Sequence, residues 1–389
     1  MRVAREMSVA HPRKPIAWIA GIIVSCIASV SSAASIDTIA KQAILIDMST
    51  GTTLFEKNAH QRMPTSSMSK IMTMYMVFDR LRSGRLSLDD TLPVSERAWR
   101  MQGSKMFTEL NAQIRVEDLI KGVIIQSGND ASVVLAEGLS GSEERFAEEM
   151  TRRAREIGLN ESNFRNSTGW PDENHYSTAS DLALLAQHLI KDYPEYYHYY
   201  SQTEFTYHGI KQGNRNPLLY RNMDVDGLKT GHTETAGYGL TASAERNGRR
   251  LVLVVNGLPS MQARADESAR LLEWGFREFE SYALFKKGEP VDQAAVWLGD
   301  ADTVPLVVEE DLRVTMNRDE RRNLKVSVVL EEPVPAPVAQ GTPLGKVVME
   351  APGFSRKEVP LVAGQSVDRL GFVGRIGAAA MHLISGGGS

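Results

Sequence analysis

Apolar positions along the chain form one dense run and then two kinds of periodic pattern, which change over near residue 285. Residues 16–30 are apolar almost throughout, with Arg2, Arg5, Arg13 and Lys14 before them and small residues at 31–35 after. A basic start, an apolar middle and a small-residue end describe an export signal, and Ser32-Ala33-Ala34 puts its cleavage near Ala34. The run is short for a membrane span, which needs roughly 20 apolar residues. Beyond it, 43–47 and 52–56 read as strands joined by the turn residues Ser49, Thr50 and Gly51. Helical spacing follows over about 68–82, 116–126, 130–138, 143–157, 179–190 and 266–279. Strands at about 237–245 and 250–257 lie between the last two helices, joined through Asn247-Gly248, a strong hairpin signal. Strands at both ends with helices between them predict an α+β domain over 35–284, an antiparallel sheet covered by helices.

After Lys286-Lys287-Gly288-Glu289-Pro290 the helical spacing stops. Short, partly alternating stretches at 304–308, 312–316, 325–330 and 347–349, punctuated by Pro333, Pro335, Pro337 and Pro343, predict a small all-β domain over 285–365. No catalytic cluster stands out in it. In the last segment, 366–389, Leu370, Phe372, Val373, Ile376, Ala380 and Leu383 share a broad face, which predicts a short amphipathic tail helix. Gly371, Gly374 and Gly377 each weaken that helix by roughly 1 kcal/mol relative to alanine. Only Arg369 and Arg375 flank the face, so membrane association through the tail is expected to be weak and reversible.

Composition narrows the chemistry. At 42% hydrophobic residues the chain has ample material for packed cores, and a largely disordered protein is excluded. The net charge of −4, taken to −7 by loss of residues 1–34, and the lack of a basic run argue against nucleic-acid binding. The single cysteine, Cys26, lies inside the export signal. A cysteine nucleophile, an iron–sulfur cluster, a thiolate zinc site and a structural disulfide are thereby excluded from the mature chain. The eight histidines include no His-Glu-x-x-His pattern, and neither a metal nor another cofactor is expected.

Three short motifs carry the candidate chemistry. Ser67-Met68-Ser69-Lys70 opens the helix predicted at 68–82, and its i, i+3 spacing brings the Ser67 hydroxyl and the Lys70 amine to one face. A serine hydroxyl needs a nearby base to become a nucleophile, and lysine supplies one where burial or another cation lowers its pKa. Alone, the pattern also fits an N-cap serine followed by a surface lysine. Ser127-Gly128-Asn129 falls in the break between two helices, where it is equally good loop and N-cap chemistry. Lys229-Thr230-Gly231 precedes the strand at 237–245. There Gly231 would let a substrate backbone approach, and Lys229 would favour a neutral Lys70.

The three motifs stand in the order Ser-x-x-Lys, Ser-x-Asn, Lys-Thr-Gly, a set shared by β-lactamases and penicillin-binding proteins. With their settings, Pro64-Thr-Ser-Ser-Met-Ser-Lys70, Gln126-Ser-Gly-Asn-Asp130 and Asp226-Gly-Leu-Lys-Thr-Gly-His232, the stretch 40–280 resembles the low-molecular-mass penicillin-binding proteins, serine-type D-alanyl-D-alanine carboxypeptidases. The segment 285–365 and the tail resemble the family's second domain and membrane-associating end. The resemblance implies that Ser67 is acylated by the penultimate D-alanine of peptidoglycan stem peptides, or by β-lactams, with Lys70 taking its proton. Ser127 would relay a proton to the departing D-alanine, and Asn129 would hold a substrate amide. Lys229 would tune the potential, while Thr230 and Arg264 would bind the terminal carboxylate. The backbone N–H groups of Ser67 and His232 would form the oxyanion hole. The place of action would be the periplasm, on the outer face of the inner membrane.

Three alternatives share these residues: a D,D-endopeptidase, a β-lactamase and a penicillin sensor without turnover. A β-lactamase adds a glutamate that activates water, and Glu156-Ile-Gly-Leu-Asn160 has that setting. Gly158 sits where a helix C-cap glycine belongs, so Glu156 is read as the end of a helix.

Overall fold

The computed structural model describes residues 2–7 and 36–371, which divide into a unit at Ile36–Arg277 and a second unit that begins at Glu278 and includes residues 2–7. In the first unit the strands of the main sheet are β1 (Gln42–Asp47), β2 (Thr52–Lys57), β3 (Val225–Thr233), β4 (Gly237–Arg246) and β5 (Arg249–Leu258). They form one antiparallel sheet in the order β2-β1-β5-β4-β3. Every residue of β1 is buried, as expected of a strand covered on both faces. The β4–β5 connection is the Asn247-Gly248 turn, with φ of 52° and 74° at the two positions, the left-handed pair a tight hairpin requires.

The longer helices are α1 (Lys70–Arg82), α2 (Val116–Ile124), α3 (Asn129–Ser140), α4 (Glu143–Glu156), α5 (Ala179–Asp192) and α6 (Met261–Glu278). Residues 70–78 of α1 are all buried, so this part of the helix is covered around its whole circumference, and it is packed by α3, α4 and α5. Ser142 and Thr178 cap α4 and α5 by accepting the N–H groups of Arg145 and Asp181. Helix α6 lies against the sheet at Gly275, where an added Cβ would come within 2.7 Å of Leu45.

Two features depart from the sequence expectation in this unit. Strand β3 was hidden by Asp226-Gly227, which looks like a turn but sits within the ladder, with Gly227 opposite Ser243. Helix α6 begins at Met261 instead of 266, and strand Phe279–Phe285 follows it directly. That strand pairs with Leu312–Asn317, and Lys286–Glu289 is a turn between strands, with Gly288 at φ 74°. The chain passes from the first unit to the second at Arg277/Glu278.

The second unit is all-β apart from the short helix Arg318–Arg322. Its main sheet includes Lys325–Glu331, Pro343–Ala351, Phe354–Ala363, Thr303–Val307 and Pro290–Trp297, around a core of Val304, Leu306, Val328, Val347 and Leu361. Residues 2–7, part of the segment read as an export signal, pair with Lys325–Glu331 at the sheet edge, and the rest of that segment lies outside the described residues. The tail helix does not start at 366. Val367 is buried and bridged to Val338, Arg369 is bridged to Gly299, and Leu370 donates its N–H to the Leu298 carbonyl, so this stretch is extended. The helix face expected from Phe372 onward lies outside the described residues. Among the described residues no helix is long and apolar enough to cross a membrane.

Candidate active site

Ser67 sits in a single 3₁₀ turn, Ser66–Ser69, that leads into α1. Its place is set from three sides. Ser66 adopts a left-handed φ of 50°, rare for a residue other than glycine. Gly169, at φ 78°, presses so close that a Cβ there would lie 1.8 Å from the Ser66 carbonyl oxygen. From the sheet, a Cβ on Gly231 would lie 2.8 Å from the Thr65 carbonyl oxygen. Gly231 thus lets β3 seat against the nucleophile turn. Gly231 also lines the cavity beside Ser67.

Lys70 is fully buried, which removes the reading of a surface lysine. Its Nζ is 3.0 Å from Ser67 Oγ and donates at 2.7 Å to both Asn129 Oδ1 and the Thr168 carbonyl. Two carbonyl oxygens take two of its hydrogens, and the remaining tetrahedral direction faces Ser67, where a neutral amine carries its lone pair. Burial, helped by the Arg215 cation and opposed by Glu143 and Asp130, pushes this amine down to about 7. Lys70 is poised to accept a proton from Ser67 near neutral pH.

Ser127 is buried in the break between α2 and α3, held at φ 66°, and shares a cavity with Ser67. Asn129 opens α3, and its Nδ2 donates to the Gln102 carbonyl at 2.7 Å. At rest its amide is therefore engaged by Lys70 at one end and the 102 loop at the other. Asp130 holds that loop through the N–H groups of Met106, Phe107 and Thr108 at 2.8, 2.9 and 3.0 Å. Lys229 on β3 is buried, and burial together with Lys70, Arg215 and Arg264 holds its amine well below the ordinary lysine value. Thr230 is buried beside it, and the exposed His232 stacks its ring on Tyr238 at 3.9 Å. Arg264, in the first turn of α6, is buried, pushed down to about 10 mainly by burial, and has no hydrogen-bond partner at Nε.

Two cavities flank Ser67. One, of about 440 Å³, is lined by Ser127, Thr230, Arg215, Arg264 and Tyr238, with no carboxylate in its wall. The other, of about 390 Å³, is lined by Asn129, Thr168, Gly169, Trp170 and Thr235. A wider groove of about 670 Å³ shares Ser66, Gly169, Trp170 and Thr235 with it and extends to Arg62 and Tyr176. All nine residues singled out in the sequence converge on this cleft or its wall. Sequence reasoning missed the Thr168 carbonyl, Asp130, and Arg215, which donates to Ser104 Oγ at 2.6 Å at the mouth of the cationic cavity. Asp130 was legible as the next letter of the second motif; the other two carry no motif. Glu156 ends α4 on the surface, 2.9 Å from Arg153, as the C-cap reading of Gly158 required.

Comparison with known proteins agrees with the fold over both units. A family model for D-alanyl-D-alanine carboxypeptidase matches residues 28–260, and one for the penicillin-binding protein 5 C-terminal domain matches 279–369. The chain is 40% identical over 341 residues to the D-alanyl-D-alanine carboxypeptidase DacC of Escherichia coli, covering 86% of this chain and 85% of that one. The crystal structure of penicillin-binding protein 5 from Haemophilus influenzae superposes with a TM-score of 0.79 at 38% identity, covering 86% of this chain and 99% of the other. Penicillin-binding protein D2 from Listeria monocytogenes, in its ampicillin-bound form, superposes with a TM-score of 0.58 at 30% identity, covering 62% of this chain and 99% of its own.

Proposed function

The chain belongs to the D-alanyl-D-alanine carboxypeptidase family, and from that premise we propose how its residues remove the terminal D-alanine of peptidoglycan stem peptides. Ser67 Oγ attacks the carbonyl carbon of the penultimate D-alanine while its proton passes to Lys70 Nζ. The oxyanion is received by the backbone N–H groups of Ser67 and His232. As the tetrahedral intermediate collapses, the proton held by Lys70 passes through Ser127 to the leaving amine and D-alanine departs, leaving an ester on Ser67 and Lys70 neutral again. Water then takes the place of the leaving amine, Lys70 accepts its proton and returns it to Ser67 Oγ as the ester bond breaks, and the shortened peptide is released. The acid-free cavity with Arg264, Arg215 and Thr230 suits the carboxylate of the departing D-alanine.

The observation that carries this reading is Lys70: buried, 3.0 Å from Ser67 Oγ, with two hydrogens committed to carbonyl oxygens. β-Lactams enter the same path, because opening of their ring by Ser67 leaves an ester in place of the peptide one. Purified protein lacking residues 1–34 should release D-alanine from a diacetyl-lysyl-D-Ala-D-Ala peptide. A folded protein that takes up penicillin yet releases none would be a sensor.

Export to the periplasm and peripheral attachment to the inner membrane complete the proposal, supported by the basic and apolar start of the chain and the apolar face from Phe372. Truncation for testing attachment belongs after Leu370, since Val367 is in the core of the β unit. That variant should keep its activity on soluble peptide and move from the membrane to the soluble fraction. Full-length mature protein found soluble at low salt would reject the attachment.

A further inference from the structure

Segment 165–178 touches the nucleophile turn at a second place besides Gly169. His175 is buried, with its ring edge-on to Phe164 at 5.6 Å. Its Nδ1 accepts the backbone N–H of Arg165 at 3.2 Å, which leaves the ring proton on Nε2. Nε2 donates to Ser69 Oγ at 2.7 Å, and Ser69 Oγ donates to Thr65 Oγ1 at 2.6 Å. Ser69 precedes α1 but caps none of its N–H groups; its hydroxyl is committed to this chain. Burial, with help from Lys70 and Arg165 and against Asp172, pushes the imidazole down to about 4, so it is neutral when the enzyme works.

Thr65, at the far end, is the pivot of the turn. Its carbonyl accepts the Met68 N–H at 3.1 Å and is the atom against which β3 seats at Gly231. Between Thr65 and Ser67 lies the left-handed Ser66, a conformation that persists only where its surroundings hold it. The two backbone N–H groups assigned to the oxyanion come one from the turn and one from β3. Their spacing follows the seat of one element on the other.

We propose that His175 is a positioning residue. Through Ser69 and Thr65 it fixes the nucleophile turn against β3, and with it the oxyanion-binding geometry. The inference rests on the acyl-enzyme reading above. The oxyanion exists in the transition state and not in the bound substrate, so a misplaced turn lowers kcat and leaves KM nearly unchanged.

The test compares His175→Leu, His175→Gln and Ser69→Ala with wild type for D-alanine release, penicillin acylation rate and thermal unfolding. Leucine fills the space without the hydrogen bonds, and kcat should fall about 10- to 100-fold, the scale of a small misplacement of reacting groups. Glutamine has an amide N–H for Ser69 and a carbonyl for Arg165, and should restore most of that loss. Ser69→Ala cuts the chain in its middle, should slow both reactions similarly, and should add nothing to His175→Leu. If His175→Leu does not fold, Ser69→Ala decides. A kcat within about threefold of wild type in either folded variant overturns the role. So does a glutamine variant as slow as the leucine one, or a loss confined to KM. An inactive wild type that also takes up no penicillin would instead sink the acyl-enzyme reading, and this inference with it.

Discussion

Ser67→Ala should fold, bind no penicillin covalently and lose turnover by a factor on the order of 10⁴–10⁶, the range seen when a serine nucleophile is removed. Loss of one hydroxyl from a half-buried turn leaves the packing untouched, and Lys70 keeps both of its carbonyl partners. No neighbour is placed to substitute. Ser69 is tied to His175 and Thr65, and Ser66 Oγ donates to Thr233 Oγ1. Intact-mass measurement after exposure to penicillin should give one added drug mass in wild type and none in the variant. An adduct that persists in Ser67→Ala would move the nucleophile elsewhere.

Lys70→Arg tests the base. Arginine keeps its proton at every accessible pH and cannot take one from serine, so acylation should slow by about 10²–10⁴-fold. In wild type, acylation should rise with pH through about 7 as Lys70 loses its proton, and the arginine variant should lack that limb. Thermal unfolding carries a second signature. The folded value of Lys70 is about 7 and its ordinary value 10.5, so between them the unfolded chain binds more protons and wild-type stability rises with pH. Lys229, also held low, adds in the same direction. An arginine variant that folds and acylates within tenfold of wild type would refute the assignment.

The sequence exposed those parts of the site whose chemistry demands a particular side chain at a particular spacing. Ser67, Lys70, Ser127, Asn129 and Lys229 were legible on that ground, and Arg264 only through the family resemblance. The Thr168 carbonyl was not, because a main-chain oxygen supplied by any residue leaves no trace in the sequence. Arg215 was hidden because its role depends on which cavity its segment reaches. Gly231 was legible as a constraint, but nothing in Lys-Thr-Gly says that Thr65 is a close neighbour. In the fold, amphipathic helices and the Asn247-Gly248 hairpin declared themselves. Strand β3 did not, because Asp226 is an acid made tolerable in a strand by Arg250 at 2.7 Å and the Tyr197 hydroxyl at 2.8 Å.

Strand β1 is among the earliest elements of the folded unit to be synthesised, yet one of its two neighbours, β5, is among the last. Leu251 lies opposite Asp47, about two hundred residues downstream. At ordinary translation rates of 5–20 residues per second, β1 waits on the order of 10–40 s for that neighbour. Until α5 is made, Ala43-Ile-Leu-Ile46, apolar and destined for complete burial, has only the β2 hairpin for cover, and its free ladder edge stays open until β5 follows. A ladder closed over so long a stretch of chain makes the domain a slow folder with an aggregation-prone edge early in its life. A chain emerging start-first across a membrane meets the same delay, so its yield depends on what shields that strand until residue 258 has followed.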